Sequence, residues 1–155
     1  MKNADEDPSP SLCEGLVAWF SEDYAAAERD FAKTTTIDPR NSDAFAYRAL
    51  GALKKRDPGT ASKLAARAVD AGKTNGNAYL SQALALMALK KPDLAKVSAQ
   101  SAVKYSPQSL GAKVILADVD ARRGSADDAR RTLTAVLLAD SYYREAKRVL
   151  FEQQL

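Results

Sequence analysis

Two amphipathic runs, Ala78 to Leu89 and Leu94 to Tyr105, flank the stretch Lys90-Lys91-Pro92-Asp93, where Pro92 is tolerated only in the first turn of a second helix. The pattern predicts a helical hairpin. Small residues stand where the two axes must approach closely: Ala83 and Ala85 in the first run, and Ala95, Ala99 and Ala102 in the second. Spacings of four and three put those last three on one helix face. One hairpin cannot bury both apolar stripes, so the pattern asks for neighbours of the same kind.

The neighbours are present. Steps of 34 residues from Ala95 land on Ala27, Ala61 and Ala129. The same steps from Ala102 reach Thr34, Ala68 and Val136, and those from Ala83 reach Gly15, Ala49 and Ala117. Pro92 corresponds to Tyr24, Pro58 and Ala126, and Pro107 to Pro39, Lys73 and Ser141. In this strict period, with small residues at repeat positions 8, 20 and 27, the chain resembles the tetratricopeptide repeat (TPR) family. The resemblance covers about residues 9–143, with repeats at 8–41, 42–75, 76–109 and 110–143. It implies an all-α fold, a right-handed α-solenoid of four TPR-like helical hairpins plus a C-terminal capping helix. The aromatic of family position 4 is kept as Phe45 and Tyr79 but is Ser11 and Lys113 in the outer repeats. Position 7, usually leucine, reads Glu14, Arg48, Gln82 and Leu116.

Local signals place the remaining elements. Residues 1–8 read as a disordered acidic tail. Ser9-Pro10 and Ser11 through Glu14 both carry helix-start signals, the latter with capping-box spacing. The first helix then runs to about Phe20, and Asp23 opens its partner. Ser42 or Asp43 starts the second hairpin, Asp57-Pro58 makes its inner turn, and Gly72 stops it. A helix from about Ser109 stops at Gly124, and Ser125 with Asp128 starts the next. The capping helix begins near residue 141 and fills 144–155, with Tyr143, Ala146, Val149 and Leu150 covering the stack while Arg144, Lys147, Arg148 and Glu152 face water.

Composition narrows the chemistry. Hydrophobic residues make up 46% of the chain but aromatic ones only 7%, so alanine and leucine carry the burial. The net charge of +3 hides an asymmetry. Residues 1–41 hold 9 acidic and 4 basic side chains, a balance of −5, and the rest hold 11 and 19, a balance of +8. Such a field steers an acidic partner toward the later repeats. A lone cysteine, Cys13, excludes an internal disulfide and reads as a small buried hydrophobe. No histidine is present, and no glycine-rich phosphate loop or metal-ligand cluster is found, so no catalytic residue, cofactor or metal is assigned. Asp118 and Asp120 point to different helix faces and read as salt-pairing groups. No run approaches a membrane span. The alanine-rich repeats suit a cytoplasmic protein, and a periplasmic fragment or a piece of a larger protein fits the same features.

The resemblance also implies a surface. In TPR proteins the first helices line a concave groove, which here would draw on Leu16, Trp19, Asp43, Tyr47, Leu50, Lys54, Asn77, Leu80, Ser81, Leu84, Met87, Val114, Asp118 and Arg122. Most are apolar, so the implied role is a non-enzymatic protein-interaction scaffold or adaptor that grips a peptide or helical segment. The competing reading makes the leucines core and the polar members solvated helix surface. The family's clamp for acidic heat-shock chaperone tails falls on Leu12, Leu16, Tyr47, Asn77 and Ser81, or one repeat later on Ala46, Leu50, Ser81, Gly111 and Ile115. Neither set neutralises two carboxylates, so that partner is disfavoured. Two alternatives stand beside the groove: self-assembly of chains through the uncapped first repeat around Trp19 and Phe20, and nucleic-acid binding along a basic edge. That edge, Lys54-Lys55-Arg56, Lys90-Lys91, Arg122-Arg123 and Arg130-Arg131, lacks interleaved aromatics, which disfavours nucleic acid.

Overall fold

The computed structural model describes residues 7–155, so most of the expected tail, residues 1–6, lies outside the described residues. These residues form nine helices and no strand. The first eight pair into four hairpins: α1 (Ser9–Phe20) with α2 (Tyr24–Ile37), α3 (Ser42–Lys54) with α4 (Pro58–Ala71), α5 (Gly76–Ala88) with α6 (Pro92–Tyr105), and α7 (Leu110–Arg122) with α8 (Ala126–Ala139). The last, α9 (Arg144–Glu152), stands alone at the register of a fifth first helix.

Each hairpin is drawn by its end groups. Side chains of Asp23, Asn41, Asp57, Asn75 and Ser109 accept a backbone N–H from the first turn of the helix they precede, at 2.9–3.2 Å. Pro58 and Pro92 open α4 and α6, where a missing N–H is harmless. Between the two helices of every hairpin one residue takes left-handed backbone: Glu22 (φ 62°), Arg56 (φ 58°), Lys90 (φ 58°) and Gly124 (φ 86°). These four lie 34 residues apart. Only the last is the glycine that such a conformation favours.

The hairpins stack into an open row. First helices pack on one another, α3 on α5, α5 on α7 and α7 on α9, while each second helix sits between its own first helix and the next one. Close approach along the first helices and none of comparable extent among the second ones curves the row, with the first helices inside. All the small residues at positions 8, 20 and 27 are buried. So is a fourth series, Ala44, Ala78, Ala112 and Ala146, at position 3, where each first helix meets the preceding second helix.

Several local readings change. Ser11 does not cap α1; its buried hydroxyl donates to the Pro8 carbonyl at 3.0 Å and meets Thr34 Oγ1 at 2.9 Å, tying α1 to α2. Gly72 ends α4 without left-handed backbone, at φ −140°, and is small because a Cβ there would lie 2.6 Å from Ser42 Oγ. The capping helix begins at Arg144, since Asp140 takes its side chain to the Tyr142 N–H in a turn at 2.9 Å. Cys13 is exposed, because its helix face is the one that later repeats cover with a preceding second helix, and α1 is not covered by one.

Candidate functional site

The inner face of the row is a stripe of side chains from successive first helices, each held partly open by its place on the helix. Leu16 and Trp19 of α1 lie against the cluster of Ala27, Phe31 and Ala44, with Tyr47 of α3 beside them. The Trp19 ring meets Tyr47 edge-on at 5.5 Å and Tyr24 at 5.0 Å. Leu50, Leu80, Leu84 and Met87 continue the stripe, all half-buried. Met87 packs against the cluster of Ala83, Ala95, Ala99 and Val119, and the three leucines keep part of their surface open.

Polar groups flank the stripe. The exposed Asp43 carboxylate accepts from Asn75 Nδ2 at 2.9 Å and from Asn77 Nδ2 at 3.4 Å, which joins the second and third repeats. Burial, with the Asp43 carboxylate adding to it, raises the Tyr47 phenol above its ordinary value of 10.0. Lys54 is exposed and rests its ammonium over the Tyr24 ring, 5.1 Å from the centroid. Arg122 reaches solvent and donates from Nε to Asp118 at 3.0 Å.

Three expected groove residues are not available to a ligand. Ser81 is fully buried and donates to the Ala78 carbonyl at 2.8 Å, because α5 packs tightly between α3 and α7. Val114 is buried in the cluster that α9 closes with Ala146 and Val149. Asp118 is buried and receives Gln153 Nε2 at 3.0 Å as well as Arg122. The end of the chain therefore covers the fourth repeat's share of the hollow. Among the expected groove residues, those left at least partly exposed belong to the first three repeats, with Arg122 added from the fourth.

Among the concavities of the structure, two bear on this stripe, and the second shares Met87 with it. One, of about 420 Å³, runs between α2, α3 and α4, where Arg48 Nε donates to Glu28 and Nη1 to Thr35, both at 3.0 Å. Those bonds join repeats one and two and leave the cleft a structural role. The other, of about 230 Å³, is lined by Met87, Lys90, Pro92 and Arg122 at the hairpin tips of repeats three and four. Its residues were assigned apart in the sequence, Met87 and Arg122 to the groove and the Lys90-Lys91 and Arg122-Arg123 pairs to a solvated edge, and the structure brings them together. Asp120, like Asp118, serves an ion pair, with Lys96 at 2.6 Å. Among the described residues no group of acidic, cysteine or histidine side chains could hold a metal ion, and no helix is long and apolar enough to cross a membrane.

No protein-family profile matches the sequence, and no curated protein matches it. Solved structures do. PilF of Pseudomonas aeruginosa superposes with a TM-score of 0.78 at 18% identity over 99% of this chain and 72% of that one. YrrB, described as a TPR protein with an unusual peptide-binding site, gives 0.67 at 20% identity over 96% and 78%. The first TPR of Spaghetti (RPAP3), solved with the HSP90 peptide SRMEEVD, gives 0.70 at 20% identity over 76% and 96%. At these identities the likeness establishes the fold: the chain is an all-α solenoid of the tetratricopeptide type.

Proposed function

We propose that the protein is a non-enzymatic interaction scaffold whose concave face holds a short apolar or amphipathic segment of a partner protein. The observation that carries this reading is the half-buried run of Leu16, Trp19, Tyr47, Leu50, Leu80, Leu84 and Met87 along the inner helices. Apolar edges lined up in a hollow, with Asp43, Asn77 and Lys54 on the flanks, suit the anchors of an amphipathic helix or a leucine-bearing peptide. YrrB and the RPAP3 domain lend support as peptide-linked relatives in shape. An acidic chaperone tail is a poor candidate for the same hollow, since Leu12, Leu16, Tyr47, Asn77 and the buried Ser81 offer it no cation.

The test is capture of partners by the intact chain, followed by titration of the recovered segment against Leu50→Glu and Leu84→Glu. Each substitution places a charge on the apolar stripe and is expected to weaken binding by on the order of tenfold or more, with helical circular dichroism unchanged. Full affinity in both folded variants overturns the groove. Self-assembly through the first repeat is the second reading, favoured by Val17 and Phe20, which are 68% and 75% exposed on α1. It expects light scattering to show an oligomer that Trp19→Glu or Val17→Glu returns to monomer.

A further inference from the structure

The hairpin tips of repeats two to four carry more positive charge than folding asks for. They read Lys54-Lys55-Arg56, Lys90-Lys91 and Arg122-Arg123, where the first tip reads Phe20-Ser21-Glu22-Asp23. Some of these cations have a structural reason. Lys54 and Arg122 occupy the last turns of α3 and α7, where positive charge meets the negative end of the helix, and Arg123 pairs with Asp93 at 2.8 Å.

Lys55, the residue that ends α3, shares that reason, whereas Arg56, Lys90 and Lys91 each carry a cost. Arg56 and Lys90 hold left-handed backbone that disfavours any residue with a Cβ, and Gly124 fills the same place in repeat four. Lys91 precedes α6 at the place where Asp23 and Asp57 cap α2 and α4. A lysine cannot accept the free N–H groups, and its charge meets the positive end of the helix. The side chains of Lys55, Arg56, Lys90 and Lys91 are exposed and form no ion pair or hydrogen bond among the described residues. Arg56, Lys90 and Lys91, each weakening the local fold without a compensating contact, point to a use outside the chain. Next to them lies the cavity of about 230 Å³, with Met87 and Pro92 as apolar lining and Lys90 and Arg122 as cations.

We propose that this edge binds an acidic, extended segment of a partner protein, with one apolar side chain of that segment seated against Met87. Stacked helices lie about 8–10 Å apart, so the tips recur at about that interval. An extended polyproline-II chain rises about 3.1 Å per residue with three residues per turn, so acidic residues at every third position share one face and bring a carboxylate to each tip. Nucleic acid fits less well, because the tips of repeats two to four carry no aromatic ring on which a base could stack, and a phosphate backbone has no use for the Met87 pocket. The surface meets the apolar stripe only at Met87, so Leu80→Glu, two helical turns away on α5, separates the two proposals: it is expected to weaken a groove ligand and leave the acidic peptide bound as before.

The probe is a short labelled peptide with glutamate at every third residue and a single leucine, titrated into the full chain by fluorescence anisotropy. Lys90→Glu with Lys91→Glu is expected to weaken it on the order of tenfold. Lys63→Glu with Lys104→Glu, an equal change of net charge on the second helices, is expected to change it less than about twofold. Lys91→Asp is expected to weaken the peptide while raising the melting temperature by roughly 2–4 °C, because it restores a cap. Any of four results overturns the proposal. These are equal losses in the two double variants, a melting temperature lowered by Lys91→Asp, loss of the peptide in the folded Leu80→Glu variant, and tighter binding of a single-stranded oligonucleotide or a phosphatidylserine vesicle than of the peptide.

Discussion

Between the first and second repeats, the ring of Phe31 stacks on that of Tyr47 with centroids 5.1 Å apart. Thirty-four residues on, the same two places at the next junction hold Ala65 and Ser81, both fully buried. The first junction is filled by rings: Trp19 and Tyr24 join the stack, and Gly15 leaves room for Phe31, whose ring would lie 2.7 Å from any Cβ there. The second relies more on small residues, with Ala46, Ala52, Ala61, Ala68, Ala78 and Ala85 letting the helices close up around the single ring of Phe45. Helix α3 packs extensively on α5, and α1 does not pack on α3 to that extent. Bulk at two repeat positions thus sets how far apart neighbouring hairpins sit, while the turn geometry stays the same. The fourth junction takes a middle course with Leu133 and Val149.

The sharpest way to break this contrast is to remove the ring. Phe31→Ala is expected to destabilise the chain by about 3–5 kcal/mol in urea unfolding, because the space it leaves is walled by Gly15 and Tyr47 and cannot close easily. Trimming its counterpart, Ala65→Gly, should lower stability by only about 1 kcal/mol, through helix propensity. Adding bulk reverses the order. Ser81→Val is expected to cost about 1–3 kcal/mol by overpacking a junction with no spare room, whereas Tyr47→Phe, which keeps the ring, should change stability at neutral pH by less than that.

The smallest effect is electrostatic. The Tyr47 phenol in the folded chain ionises above its ordinary value of 10.0, so as pH rises the unfolded chain loses its proton first. The contribution of this group is whole below that value and is lost as pH climbs from it through the raised folded value. Stability measured across that alkaline range should fall less in Tyr47→Phe than in the parent. An equal fall would mean that the phenol is not held by the first junction.

How much of this could be read beforehand depended on what periodicity encodes. A spacing of 34 marks which face of each helix turns inward, and positions 8, 20 and 27 are buried in all four repeats. Periodicity does not say what a neighbour will cover. Ser81 and Val114 follow the groove register but vanish under adjacent helices, and Asp118 is closed by Gln153, which lies 35 residues away. Cys13 went the other way, since burial at its position depends on a helix that α1 does not have against it. The left-handed residues at 22, 56 and 90 carried no composition signal, because a glycine marks the turn only at 124. The exposure of Phe151, at 86%, was equally hidden: it stands where Gly15, Ala49, Ala83 and Ala117 face the second helix of their own hairpin, and among the described residues no second helix pairs with α9 in that way.

A row in which each hairpin touches only the next has no route for sharing damage across its length. Pulled or heated, it should fray from its ends like a zip rather than shatter, and the small helix α9 then acts as the latch on one side. Detaching that latch would loosen α7 and α8 and bare Asp118 to water, yet α3 and α4, two hairpins away, would keep their amide protons as long as before.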